Sequence, residues 1–147
     1  MSASAGSDWA GHALERLSAA GYRRGGARRA VVELLSEQRC ARSVHELEHA
    51  LREGGRAVGR ASIYRVLDQL EQLRLVDRLE VGQGQALYEP HLPTGEHHHH
   101  LVCDQCGRVV PFEDPALERA IERVSARVKF SVADHDVVLH GVCGDCR

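Results

Sequence analysis

A chain of 147 residues with 43% hydrophobic content is long enough to bury one good core or two small ones, so it does not need a metal ion merely to fold. Its 21 acidic and 19 basic side chains give a net charge of -2, which excludes a bulk polycation, so any binding of nucleic acid must come from a local patch. No leader-like segment and no apolar run of about 18 residues occurs, so we expect neither export nor membrane insertion, but a cytoplasmic protein whose paired cysteines are metal ligands.

The first half of the chain has the pattern of four helices, from Asp8 to about Leu75. The third helix opens with a capping box, in which Ser43 is followed three residues later by Glu46. In the fourth, the apolar residues recur at helical spacing and are expected to face inward: Ile63, Val66, Leu67, Leu70 and Leu73. Two short strands follow, VDRLEV and ALYE, joined by the turn-prone GQGQ. Helices followed by a two-stranded wing are typical of a winged helix-turn-helix domain, whose last helix enters the major groove of DNA.

The second half predicts a small α/β domain, so the fold class is α+β. After PHLPTGE we expect a strand around HHHHLVC, a cysteine turn, the strand RVVPF, a helix capped by Asp114 and a last strand DVVLHGV. The helix is expected to bury four apolar residues, spaced by four, three and four: Leu117, Ile121, Val124 and Val128. The predicted organisation is therefore a winged-helix domain over residues 1–89, a linker over 90–96 and a second domain over 97–147.

Two C-x-x-C pairs are the most specific chemical signal. They are formed by Cys103 with Cys106 and by Cys143 with Cys146, and together they offer four thiolates to one tetrahedral ion, which predicts a closed structural zinc site. A redox-active pair is the alternative, but two copies without a thioredoxin-like setting argue against it. Cys40 stands apart and is interpreted as an ordinary small buried residue.

Four consecutive histidines, His97 to His100, precede the first cysteine pair. Side chains alternate along a strand, so His98 and His100 are expected on one face and His97 and His99 on the other. This alternation predicts two sites with two imidazoles each, completed by ligands from elsewhere. A purification tag or a solvated histidine run is the alternative, although tags are usually terminal and longer.

HELEH, from His45 to His49, matches the H-E-x-x-H pattern of zinc hydrolases. Its two histidines lie one helical turn apart, as that chemistry requires. Glu46 is already explained as the partner of the Ser43 cap, however, and the motif sits in the first turns of a short helix. His45 and His49 are therefore expected to be exposed helix residues, and a zinc hydrolase remains the less favoured alternative.

Arginines without neighbouring acids in the sequence cluster around the second and fourth helices: Arg23, Arg24, Arg56, Arg60 and Arg65. Guanidinium groups bind phosphates and guanine edges, and an outward-facing Tyr64 can contact a thymine methyl group. A solvated helix face is the alternative interpretation. Such a face rarely exposes a tyrosine between arginines, so this patch predicts contact with double-stranded DNA.

These motifs together resemble the ferric-uptake-regulator (Fur) superfamily of bacterial metal-responsive transcription factors, nearest to its zinc-uptake branch. The resemblance rests on GYRRGGARRAVVELL, SIYRVLDQLEQLRLV, HHHHLVCDQCGRVVPFED and HDVVLHGVCGDC, and it covers nearly the whole chain. It implies a transcription regulator rather than an enzyme. It further implies a homodimer in which C-terminal dimerisation domains join two winged-helix domains, and in which bound metal fixes the hinge so that both recognition helices fit a palindromic operator.

The resemblance also assigns ligands. It implies a structural zinc site at the four paired cysteines and a regulatory hinge site at His98 and His100, completed by Asp77 and His91, with Glu89 as a competing ligand. A further site in the dimerisation domain would use His97, His99, Glu118 and His135. For DNA it implies a minor-groove contact by Arg23 and recognition-helix contacts by Tyr64 and Arg65, to which the basic patch adds Arg24 and Arg60.

Two departures from the family pattern bear on the metal. Iron and peroxide sensors usually have a histidine where this chain reads Cys40-Ala41-Arg42, and a carboxylate where it has Pro111. Losing both argues against an oxygen-rich ferrous site, and one aspartate with three histidines suits tetrahedral Zn²⁺. Imidazole also binds Fe²⁺ and Ni²⁺, so a sensor of iron, nickel or peroxide remains the alternative to a zinc-dependent repressor.

Overall fold

A computed structural model describes residues 5–38, 40–82, 84–92 and 98–147, with the side chains described from Asp8 onward. The chain divides into two compact units, Met1–Glu96 and His97–Arg147. None of the described helices is long and apolar enough to cross a membrane.

The first unit contains four helices and a small antiparallel sheet. Its elements are α1 (Ala5–Ala19), α2 (Gly26–Glu37), β1 (Arg42–Ser43), α3 (Val44–Glu53), α4 (Arg60–Gln72), β2 (Val76–Glu80) and β3 (Ala86–Pro90). The strand order is β1-β3-β2. The largest buried side chains come from all four helices: Trp9, Leu17, Leu35, Leu47, Ile63, Leu67 and Leu70. This arrangement confirms the predicted winged helix-turn-helix fold, with β1 as an unpredicted third strand because two residues are too short to show a periodicity.

The local signals in this unit are borne out in detail. Ser43 Oγ accepts a hydrogen bond from the backbone N–H of Glu46 at 3.1 Å, and the Glu46 carboxylate accepts one from the backbone N–H of Ser43 at 3.3 Å, which confirms the capping box. The inward residues of α4 are buried apart from Leu73, which is half-buried at the end of the helix. Tyr64 is exposed between these inward positions, as predicted.

The second unit has one helix and a mixed sheet. Its elements are β4 (His99–Cys103), β5 (Val109–Phe112), α5 (Pro115–Arg127) and β6 (Val138–Gly141), with strand order β5-β4-β6. β4 is antiparallel to β5 and parallel to β6. Asp114 caps α5 by accepting hydrogen bonds from the backbone N–H groups of Ala116 and Leu117.

The predicted burial of α5 is wrong within the single chain. None of its residues is buried: Leu117 and Ile121 are half-buried, while Val124 is 45% exposed and Val128, just after the helix, is 60% exposed. Helical periodicity identifies which side chains share a face, but it does not say what covers that face. Phe130, two residues after Val128, is 69% exposed.

Candidate metal centres and nucleic-acid interface

The four paired cysteines form one cluster because β4 and β6 are parallel neighbours. Their register places Cys103 opposite Gly141, so the turn after β4 and the turn after β6 lie side by side. The four Sγ atoms lie within 4.8 Å of one another. Cys106 and Cys143 are 3.8 Å apart at sulfur, and the backbone N–H of Cys143 donates to Cys103 Sγ at 3.3 Å.

The acid-base chemistry of this cluster suits a cation. Backbone hydrogen bonds from Cys106 and then Cys143 lower the pKa of Cys103 to about 6. The neighbouring sulfurs, Cys143 first, raise the pKa of Cys146 to about 12. One thiolate therefore forms readily while another resists ionisation beside it, and a divalent metal removes this conflict by stabilising all four thiolates. The donor set fits a closed tetrahedral Zn²⁺ site of the structural kind.

A second cluster joins β4 to the first turn of α5. His99 is 1% exposed, and its Nε2 lies 2.6 Å from Glu118 Oε1. Glu118 Oε2 lies 2.7 Å from His135 Nε2, so one carboxylate bridges two imidazoles whose ring centroids are 5.2 Å apart. Three members of the further site predicted from the sequence thus come together, with donor atoms within 4.8 Å of one another. The fourth, His97, lies outside the described residues.

The other histidines of the run separate as the strand period predicts. His98 and His100 contact each other, with ring centroids 4.8 Å apart, whereas His99 contacts Glu118 and Phe112. His100 is buried and His98 is half-buried just before β4. These two imidazoles are the predicted hinge-site ligands that belong to the second unit.

The wing of the first unit gathers the remaining predicted hinge ligands. Asp77 on β2 pairs in register with Glu89 on β3, so their side chains project from the same face of the sheet. His91 follows Glu89 by two residues, and its Nδ1 lies 3.0 Å from Asp77 Oδ1. Cys40 is half-buried; burial, together with the negative charge of Glu89 and Glu46, raises the pKa of its thiol despite an opposing backbone hydrogen bond from Ala41.

The basic patch differs from its sequence-based description in one respect. Arg23, Arg24 and Arg65 are exposed, but Arg60 Nε donates to Glu48 Oε2 at 3.0 Å, and Arg56 pairs with Glu33. The hydrogen bond from Arg60 is the main reason that the pKa of Glu48 lies below its ordinary value. The patch is therefore not free of acids, because α2 and α3 supply carboxylates that are distant in sequence.

Sequence reasoning missed Arg28, which is 5% exposed on α2. Its Nη2 donates to the backbone carbonyl of Tyr22 at 3.1 Å. The available signal was the density of arginines in RRGGARR, combined with the lack of an acidic residue at the start of α2.

HELEH does not form a metal centre among the described residues. His45 and His49 are exposed, His49 pairs with Glu53 at 3.0 Å, and neither histidine belongs to a three-donor cluster. Glu46 belongs to the cap of α3 instead of a catalytic site.

A winged helix-turn-helix unit and a second unit with clustered thiols and histidines define the class of metal-binding, DNA-binding regulators. The model of the ferric uptake regulator family matches residues 19–140, and the chain belongs to this family, whose members are transcription regulators and not enzymes.

Individual relatives agree with this assignment. The ferric uptake regulation protein of Legionella pneumophila is 38% identical over 118 residues, 80% of this chain and 85% of that protein. The protein of the same name from Neisseria meningitidis is 37% identical over 105 residues, 71% and 72% of the two chains. Among solved structures, Helicobacter pylori Fur, described as having three functional metal-binding sites, has a TM-score of 0.79 at 27% identity and covers 93% of each chain. Vibrio cholerae Fur has a TM-score of 0.76 at 30% identity, covering 88% of this chain and 98% of that one.

Proposed function

We propose that this protein is a zinc-dependent transcriptional repressor that binds palindromic operator DNA as a homodimer. The observation that carries the proposal is the position of Asp77, Glu89 and His91 on one face of the wing. β2 begins only four residues after α4 ends, so a metal held by Asp77 acts on the segment that leads directly out of the proposed recognition helix. With His98 and His100 as further ligands, metal binding becomes a conformational signal to the DNA-binding unit.

Zinc is supported by the donor atoms. The four-cysteine cluster suits structural Zn²⁺, and a site of one aspartate with three histidines suits a regulatory Zn²⁺. The His99, Glu118 and His135 cluster would hold a further ion, with His97 as its proposed fourth ligand.

Iron is the second candidate for the regulatory metal. The curated relatives from Legionella and Neisseria are named for ferric uptake regulation. Glu89, buried and in register with Asp77, would add a second carboxylate, and a ligand set richer in oxygen favours Fe²⁺ over tetrahedral zinc. Whether Glu89 or His91 binds the ion therefore decides between the two metals.

Dimerisation is supported by the apolar surface of α5 and the residues after it. Val124, Val128, Phe130 and Val132 are each at least 44% exposed. Several large apolar side chains exposed within nine residues of the chain are typical of an interface, and a second copy of the same surface would bury them. DNA contact is supported by the exposure of Arg23, Arg24, Tyr64 and Arg65.

The coupling free energy between metal binding and operator binding has an expected range. Metal-dependent allostery between two sites commonly amounts to about 1–3 kcal/mol, which corresponds to roughly 5- to 150-fold tighter operator binding with metal than without it. By reciprocity, operator DNA tightens metal binding by the same factor.

The deciding experiment measures binding of the full-length protein to DNA from upstream of its own gene, at fixed salt, while buffered free Zn²⁺, Fe²⁺ and Ni²⁺ are titrated separately. Tight binding that requires zinc supports the proposal. If operator binding saturates at a lower free concentration of another metal, the protein is still a metal-dependent regulator, but its metal is not zinc. Equal binding to operator and unrelated DNA under every metal would contradict a metal-dependent repressor of this gene.

A further inference from the structure

The N-terminus of α2 is open and positively polarised. Its N-cap is Gly25, which provides no side-chain hydrogen bond, and the first turn carries no acidic residue. The first N–H groups of a helix have no acceptor within the helix, and the helix dipole adds partial positive charge at this end. Such an end binds anions when a suitable cavity adjoins it.

Arg28, in the first turn of α2, provides an independent indication of a ligand. Its side chain is 5% exposed, and its Nη2 is satisfied by the carbonyl of Tyr22. Its Nη1 is buried and has no hydrogen-bond partner within the described part of the chain. A buried guanidinium N–H without an acceptor is energetically costly, so the protein is expected to supply one through a bound group.

A cavity of about 410 Å³ lies at this position, between α1 and α2. Arg24, Gly25, Arg28 and Arg29 line it, and Glu15 is the one acidic residue among its described lining residues. Burial and the positive charge of Arg24 lower the pKa of Arg28, so the two guanidinium groups are close enough to repel each other. Arg29 is turned partly towards Glu33, at 3.8 Å. The cavity therefore carries an excess of positive charge that an anion would neutralise.

We propose that this cavity binds a phosphate group through Arg24, Arg28 and the N-terminal amides of α2. The tetrahedral oxygens of a phosphate can accept hydrogen bonds from guanidinium and amide donors together. The backbone of DNA and a free phosphate ion both offer this chemistry. The DNA backbone is the favoured source because Arg23 and Arg24, in the loop before α2, are proposed DNA contacts, and to that extent the inference rests on the proposed function.

A matched pair of substitutions at Gly25 tests the site without disturbing Arg28. Gly25 has φ -168° and ψ 158°, an extended conformation open to any residue, and a Cβ there would meet no atom within 4 Å. Gly25→Asn and Gly25→Asp both supply an N-cap of the same shape, which should preserve or raise thermal stability. The Asp variant alone places a negative charge where the phosphate would bind.

The first measurement is DNA affinity as a function of salt, for the metal-loaded protein with operator and unrelated duplexes. We expect Gly25→Asp to bind both duplexes about tenfold more weakly than Gly25→Asn, and to lower the slope of log affinity against log salt by about 1, the value for one lost phosphate contact. The Asn side chain accepts hydrogen bonds from the same N-terminal amides but adds no charge, so the Asn variant should bind DNA with an affinity between those of the wild-type protein and the Asp variant.

The second measurement titrates inorganic phosphate against the backbone amide signals of Ala27 and Arg28 in NMR spectra. Shifts in the wild-type protein that are absent in the Asp variant, combined with an equal DNA affinity of these two proteins, would support a phosphate site and assign it to the free ion. Identical behaviour of the wild-type protein and the Asp variant in both measurements would overturn the inference. If the wild-type protein binds no operator with any metal, the proposed function has failed separately, and the phosphate titration alone decides this site.

Discussion

The imidazole Nδ1 of His91 lies 3.0 Å from Oδ1 of Asp77, so the residue that follows the wing is held against the strand that begins it. Glu89 lies opposite Asp77 in the register of the same sheet. The winged-helix unit thus presents one histidine and two carboxylates on a single face, before any ligand from the second unit is considered.

Removing Asp77 as a ligand should separate metal sensing from folding. We expect Asp77→Asn to raise the free zinc concentration for half-maximal operator binding at least about tenfold, because loss of a ligand or of its hydrogen-bonded partner commonly weakens metal binding by 10–100-fold. Glu80→Asn removes a negative charge from an exposed position of the same strand and is the matched control. Fluorescence anisotropy of labelled operator in buffered zinc measures both, and equal midpoints would contradict the assignment of Asp77.

The choice between Glu89 and His91 predicts opposite results for two variants. If zinc is the regulatory metal, His91→Ala should abolish most of the zinc response, while Glu89→Gln should retain it. Operator binding in buffered Zn²⁺ and Fe²⁺ measures both responses for each variant. The reverse pattern, with Glu89→Gln losing its response to Fe²⁺, would assign the site to iron.

Loss of one clustered thiol should unfold the second unit. Cys103→Ser is expected to lose one equivalent of tightly bound zinc per chain and the cooperative thermal transition of the second unit, since a structural zinc site contributes about 10–16 kcal/mol to folding. Cys40→Ser changes a half-buried thiol outside the cluster and should keep both. Elemental analysis with circular dichroism distinguishes them. A folded, metal-free Cys103→Ser protein would show that the cluster is not structural.

A charge on the apolar surface of α5 should break the dimer. We expect Val128→Asp to shift the protein towards monomer by light scattering, because burying an unpaired carboxylate in an interface is strongly unfavourable. Arg123→Asp introduces the same group at an exposed position within α5 and should leave the mass unchanged. Dimers that persist in Val128→Asp would place the interface elsewhere.

The pairing of Glu48 with Arg60 predicts a pH-dependent difference in stability between the wild-type protein and the Glu48→Gln variant. The pKa of Glu48 is lowered mainly by the hydrogen bond from Arg60, so its stabilising effect is fully present above the ordinary glutamate pKa, about 4.3, and is lost as pH falls through the lowered value. Glu48→Gln should therefore be slightly less stable than wild type at pH 7, and this difference should shrink as pH falls below about 4.3 and vanish once the pH is below the lowered pKa. Urea unfolding of the winged-helix unit, with the metal removed, measures the free energy of unfolding of both proteins. A difference between them that does not change with pH would contradict the pairing.

The sequence predicted features that are encoded locally. The Ser43 and Glu46 cap, the inward face of α4 and the alternation within the histidine run each depend on residues within a few positions of one another. The two cysteine pairs were recognisable because each turn carries its own spacing, although their meeting depends on the parallel pairing of β4 and β6.

The features that sequence reasoning missed depend on distant contacts. Nothing near Arg56 or Arg60 indicates that Glu33 and Glu48 approach them from other helices. The exposure of Val124 and Val128 depends on how much of α5 the rest of the unit covers. Arg28 is buried and donates a hydrogen bond to the backbone carbonyl of Tyr22, a contact that composition alone does not reveal.

β4 is five residues long and contributes to two clusters of its unit, with His99 at its beginning and Cys103 at its end. At about 3.3 Å per residue, roughly 13 Å of continuous hydrogen-bonded backbone separates the two positions. Because one strand carries a donor of each cluster, a substitution that breaks the pairing of β4 with β5 and β6 should displace both donors together.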